Sequence, residues 1–290
     1  MKHQAHKLET LVGGEAKSNS NARTRFIAIT SGKGGVGKTT IGANLGYLLA
    51  NRGYKVGLFD ADIGLANLDV MLGIKAQKTI LHLLRGECQI EDIVLPVSEN
   101  CFLIPGESGS EILRFGETFM MERFYSEIKK LNFLDYLILD TGAGIGENVQ
   151  MFLGAADEIV VVTVPDPAAI TDAYAMIKVL SATKSRLFMI LNQAQNEKEG
   201  AKVFEKVKKV ALSNMPDLEL ILAGSILKDD EIAKSVRTRR LFAIDAPNGK
   251  AAAKLEQIID CVLRTMEHIL LDEKKVGGFE YFFKKLLHQF

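Results

Sequence analysis

The chain has 290 residues, with 36 lysines and arginines against 36 aspartates and glutamates and a formal net charge of zero, so no global charge drives it toward nucleic acid or an anionic membrane. Its 47% hydrophobic content supports one large core, or a core plus tails. Cys88, Cys101 and Cys261 lack metal-ligand spacing and read as reduced cytosolic thiols, no apolar run has the length of a spanning helix, no leader-type region opens the chain, and no repeat period is visible.

In chain order, residues 1–12 place Ala5, Leu8, Leu11 and Val12 on one helical face. Taken alone, such an end is as readily a frayed terminus as a binding element. Gly13 to Thr24, with Ser18, Asn19, Ser20 and Asn21, is a polar linker. Arg25 to Thr30 is a short apolar, β-branched run that predicts a buried strand. The stretch from Ser31 to Thr40, SGKGGVGKTT, then matches G-x-x-x-x-G-K-[ST] with Gly32, Gly37, Lys38 and Thr39 at the fixed positions. From Thr39 to Asn51, Ile41, Leu45, Leu48 and Leu49 fall near helical spacing, and Gly53 follows as a stop. Strand, glycine loop and helix together make a polyphosphate site, because backbone N–H groups and the positive helix end converge there. The expected nucleotide-binding set is Gly32, Lys33, Gly34, Gly35, Val36, Gly37, Lys38, Thr39 and Thr40. Lys38 is expected to neutralise the β- and γ-phosphates and the Thr39 hydroxyl to ligate Mg2+. Lys33 is extra to the pattern, and a loop lysine is ordinarily solvated.

Lys55 to Asp60 predicts a second strand, delivering Asp60 beside the phosphate loop where it can hold Mg2+-bound water. Asp62 leaves that strand end and can orient the attacking water, although two aspartates after a strand also serve as turn or capping residues. Leu134 to Asp140 is a hydrophobic run ending in a third carboxylate, the Walker B pattern, and Thr141 to Gly146 follows as a loop. Asp140 is therefore the third expected metal-site residue. Strand-like runs at 26–30, 55–60, 101–104, 136–140, 159–164, 186–191 and 218–226 alternate with helical patterns. They predict an α/β fold, a mostly parallel twisted sheet with helices on both faces and the nucleotide at the carboxyl ends of the strands. Phe188 to Asn192 ends one of those strands, and the absence of N-K-x-D favours ATP over GTP.

After Gly277-Gly278, the segment FEYFFKKLLHQF puts Phe279, Phe282, Phe283, Leu286, Leu287 and Phe290 on one helical face. An aromatic amphipathic helix behind a glycine hinge suits a membrane interface, and equally a docking stripe on the domain.

The string KGGVGKTT resembles the deviant phosphate loop of the MinD/ParA family of ATPases, and DADIGLANLDVMLG resembles the switch I segment of MinD. The resemblance implies a P-loop fold and Mg2+-dependent hydrolysis of ATP to ADP and phosphate that requires a homodimer. Lys33 would reach across that dimer to the partner's phosphates, Asp62 would serve hydrolysis, Asp60 would lie near the metal, and Asn192 would meet the adenine edge. MinD-like proteins end in a membrane-targeting helix, which implies a cytoplasmic protein reversibly held at the inner face of the cell membrane. Gly142 departs from the family's usual proline after the Walker B Asp-Ser/Thr pair.

Gln4, Ala5 and Leu8 resemble part of the D-Q-A-x-x-L-R element that opens the flagellar FlhG branch, with His3 and Glu9 standing where that element has Asp and Arg. There the element activates an FlhF-type GTPase. DTGAGI at 140–145 and the segment from Pro165 to Tyr174 resemble the same branch. The implied organisation is a partner-binding helix and linker (1–24), an ATPase domain (25–276) and a membrane-targeting helix (277–290). Cell-division MinD, which starts close to its first strand, is one alternative. A ParA-like DNA-partitioning ATPase, using a patch such as Arg237, Arg239 and Arg240, is another, although the neutral charge argues against nucleic acid. A metal-cluster carrier would need paired cysteines.

Overall fold

The computed structural model describes residues 24–62, 66–106, 123, 126–270, 278, 282 and 285. Gln4, Ala5 and Leu8 lie outside these, as do Phe279, Phe283, Leu286, Leu287 and Phe290. The strands are β1 (Arg25–Ser31), β2 (Val56–Ala61), β3 (Leu95–Ser98), β4 (Cys101–Ile104), β5 (Tyr136–Ala143), β6 (Glu158–Thr163), β7 (Arg186–Ala194) and β8 (Glu219–Leu227). They form one eight-stranded sheet in the order β3-β4-β2-β5-β1-β6-β7-β8, parallel except where β3 runs against β4. The helices are α1 (Lys38–Asn51), α2 (Leu68–Leu72), α3 (Ile80–Leu84), α4 (Ile90–Ile93), α5 (Glu147–Ala155), α6 (Pro167–Leu180), α7 (Glu197–Asn214), α8 (Asp230–Thr238), α9 (Phe242–Asp245) and α10 (Lys250–Leu270).

Alternation along each strand divides the core. On β1, Phe26 and Ala28 face one layer, with α3, α4, α5, α6 and α7, while Ile27 and Ile29 face the other, with α1, α9 and α10. β7 repeats the division, with Leu187, Met189 and Leu191 on the first side and Phe188 and Ile190 on the second. A strand covered on both faces must be apolar throughout, which is why its sequence is a continuous run. β3 lacks that signature. It is an edge strand containing Pro96, whose missing N–H is tolerated at an edge.

The carboxyl-terminal segment returns to the domain through Phe282. Its ring lies 4.1 Å from that of Phe26 and nearly parallel to it, at 7°. Phe282 is 2% exposed, and its N–H donates to Gly278 O at 3.0 Å, closing a helical turn. This aromatic of the expected membrane face is thus buried at the start of β1. Burial, helped by the like charge of Lys285, lowers the Lys184 ammonium to about 8.

Helix α6 packs directly on the loop after β1. A Cβ on Gly32 would stand 2.3 Å from the carbonyl carbon of Asp172, leaving no room for any side chain. Gly34, two residues on, has nothing within 4 Å of its Cβ position. Gly32→Ala must therefore push α6 away, at a cost of roughly 1–3 kcal/mol, whereas Gly34→Ala changes stability by less than about 0.5 kcal/mol. Urea unfolding of both variants measures the contrast, and equal stabilities would contradict it.

Candidate nucleotide and metal site

The loop from Gly32 to Gly37 joins β1 to α1 at the carboxyl edge of the sheet. Gly37 sits at φ 93°, a left-handed value that a side chain resists, and it turns the chain into α1. The loop is fastened from two sides. Ser31 Oγ donates to Lys33 O at 2.8 Å, and Asn192 Nδ2 donates to Val36 O at 2.8 Å. Asn192, on β7, is 5% exposed, so its amide donor holds the loop while the residue also lines the adjoining cavity.

That cavity measures about 950 Å³, at the upper end of the range for small-molecule sites. Gly35, Gly37, Lys38, Thr39 and Thr40 line it from the phosphate loop and α1, and Val70, Met71, Ile232 and Val236 line it from α2 and α8.

The three predicted carboxylates come together behind Lys38. Asp60 and Asp140 are opposite each other in the register of β2 and β5. Asp60 Oδ2 accepts the N–H groups of Asn67 and Leu68, both at 2.8 Å, and Oδ1 accepts that of Asp62 at 3.2 Å. These bonds anchor α2, yet burial still pushes the Asp60 carboxyl up to about 6. Neither carboxylate oxygen of Asp140 makes a well-formed hydrogen bond, although both are buried. Burial raises Asp140 to about 7, against the pull of Lys38 and Thr39. Lys38 Nζ lies 3.7 Å from Asp62 Oδ2, an ion pair between two half-buried side chains. Gly142 flanks this cluster, and a Cβ there would come within 3.0 Å of Asp62 Oδ1.

The buried Asp140 oxygens, which lack a well-formed hydrogen bond, a threonine hydroxyl and a second buried carboxylate make an all-oxygen set of the kind that suits a hard divalent cation such as Mg2+. The residues present therefore fit the metal.

Lys33 is placed differently. Its Nζ lies 3.3 Å from Asp166 Oδ1, and the two side chains are 47% and 49% exposed. Asp166 caps α6 by accepting the Ala169 N–H, which, with Lys33 beside it, holds the carboxyl below its usual range. The sequence reading did not pair these residues, although Asp-Pro before a helical pattern is a readable start signal. Gln193, on β7, and Arg239, at the end of α8, also line the cavity, and no motif marks either as a ligand residue.

The comparisons agree with this architecture. The family model described as ParA, NUBPL iron-transfer P-loop NTPase, matches residues 22–263. The flagellum site-determining protein YlxH of Helicobacter pylori is 45% identical, over 99% of both chains. The antiactivator FleN of Pseudomonas aeruginosa is 34% identical, over 91% of this chain and 93% of its own. In structure, the septum site-determining protein MinD of Pyrococcus horikoshii, solved with Mg-ADP, superposes with a TM-score of 0.67 at 26% identity, over 82% of this chain and 96% of that one. The chain belongs to the ParA/MinD family of P-loop NTPases.

Proposed function

We propose that the protein is an ATP-driven dimerising switch that regulates flagellar number or placement at the inner face of the cytoplasmic membrane. The observation that carries the ATPase reading is the buried Asp140 carboxylate, set beside Lys38 and Thr39 with neither oxygen in a well-formed hydrogen bond. The flagellar reading rests on the likeness to YlxH and FleN along nearly the whole chain.

Thr39, Asp60 and Asp140 hold the metal in this reading, the aspartates through water. Mg2+, when bound, neutralises charge on the β- and γ-phosphates. The loop N–H groups and Lys38 grip the phosphates, and phosphate draws Lys38 away from Asp62. Asp62 is then free to orient the attacking water. Asn192 meets the adenine edge through its remaining amide oxygen. Lys33 leaves Asp166 for the phosphates of a second chain, an easy exchange because the pair is exposed. A cation arriving in trans stabilises the charge of phosphoryl transfer only in the dimer.

Residues 25–276 form the ATPase unit in this account, flanked by a partner-binding element (1–24) and a membrane-targeting helix (277–290). Burial of Phe282 against Phe26 supports a docked form of that helix, in which this part of its apolar face is withheld. Release in the dimer exposes two helices at once, and avidity makes their combined hold much tighter than one. Among the described residues no helix is long and apolar enough to cross a membrane.

An Asp62→Ala variant binds ATP without turning it over and runs as a dimer in light scattering with Mg-ATP. A strictly monomeric result at micromolar protein would sink the dimer reading. Deleting residues 279–290 abolishes ATP-dependent co-sedimentation with anionic liposomes while ATP binding persists, with a lower melting temperature because Phe282 is lost from the core. Deleting residues 1–12 abolishes capture of an FlhF-type GTPase. Capture that survives that deletion contradicts the role of the N-terminal element, and absence of capture by the full chain favours a septum-positioning role like that of MinD.

A further inference from the structure

Among the described residues, two non-glycine positions have left-handed backbone, Gln193 at φ 57° and Arg239 at φ 54°. Both line the same cavity. Such conformations are costly for residues with a Cβ and concentrate at ligand clamps. Arg239 ends α8, where the Arg240 N–H donates to Ser235 O at 3.1 Å and the Arg239 N–H to Val236 O at 3.4 Å. This closing turn ordinarily takes glycine at the left-handed position. An arginine there strains the helix end, so its side chain needs another justification.

Folding supplies none. Arg240, the next residue, is paired with Asp245 at 3.0 Å, whereas Arg239 has no ion pair or side-chain hydrogen bond among the described residues. The cavity wall carries the apolar side chains of Val70 and Met71 from α2 and Ile232 and Val236 from α8, together with the charged Lys228, Asp229 and Asp230 at the start of α8. Val70 and Val236 remain 49% and 50% exposed, an open apolar rim. Lys38 and the start of α1, in the same cavity, suffice for phosphate. An apolar rim and a planar cation in one cavity suit a ligand group that is flat and apolar on its faces. A purine base meets that description, since guanidinium stacks on π faces.

We propose that Arg239 is a specificity-determining residue that stacks on the base of the bound nucleotide, a step that rests on the adenine-nucleotide reading above. It links the two halves of the site, because its carbonyl abuts the end of α2, whose start is held by Asp60.

Calorimetric binding of ADP, ATP and inorganic tripolyphosphate to the full chain and to Arg239→Gly and Arg239→Lys variants tests this. Arg239→Gly weakens ADP and ATP by the same factor, about ten-fold. It leaves tripolyphosphate unchanged and melts no lower than the parent, since glycine suits φ 54°. Arg239→Lys recovers little of the loss, because an ammonium keeps the charge without the plane. Wild-type ADP affinity in Arg239→Gly would overturn the assignment. So would an equal loss of tripolyphosphate, which would make Arg239 a phosphate contact. A parent protein that binds tripolyphosphate but neither nucleotide overturns the adenine-nucleotide reading itself.

Discussion

Two carboxylates buried side by side at the carboxyl edge of a parallel sheet are the constraint around which this molecule is arranged. Asp60 and Asp140 are opposite residues on adjacent strands, and both are raised well above the usual carboxylate range by burial. Three backbone N–H groups serve Asp60, and none serves Asp140. Core packing does not compensate such a pair; a cation does. The linkage has a definite sign. The folded pKa of Asp140, about 7, lies above its ordinary 3.8, so the folded state binds the extra proton between these values. Stability contributed by that proton is lost as pH rises through the window.

Around this strained pair, the neighbouring cations are held by contacts that can be exchanged. Lys38 rests near Asp62 and Lys33 near Asp166. Helix α2 hangs from Asp60 by two N–H bonds, so the start of that helix is tied to the proposed metal site. The exposed Lys33 pair contributes little to holding the fold. What fixes the loop is packing and hydrogen bonding behind it: α6 against Gly32, and Asn192 against Val36.

Much of this was legible in the sequence because the fold leaves little freedom. Strands such as Ile159 to Thr163 are buried on both faces and have to be apolar throughout, so the seven runs marked seven of the eight strands. The phosphate loop and the three aspartates were readable because strand-end position and spacing carry their chemistry. β3 escaped because Pro96 breaks its pattern and an edge strand needs no second apolar face. The pairing of Lys33 with Asp166 joins residues 133 positions apart, a distance that no local signal spans. Arg239 was legible only as part of a possible basic patch, because its left-handed turn lacks the glycine that would announce it. The amphipathic carboxyl-terminal pattern was visible, but whether its face is covered is a tertiary fact, decided at Phe282 by the stack on Phe26.

The central claim is that Asp140 is kept at a cost to the ligand-free fold because a metal-bound nucleotide repays it. Melting temperatures of the wild type and Asp140→Asn at pH 8, with and without Mg-ADP, test this most directly. Without ligand, the asparagine variant is expected to melt about 2–4 °C higher, as removal of an uncompensated buried charge requires. Mg-ADP is expected to raise the wild type well above its own baseline and the variant much less. A variant that melts lower than the wild type without ligand, and is stabilised equally by Mg-ADP, would contradict the account.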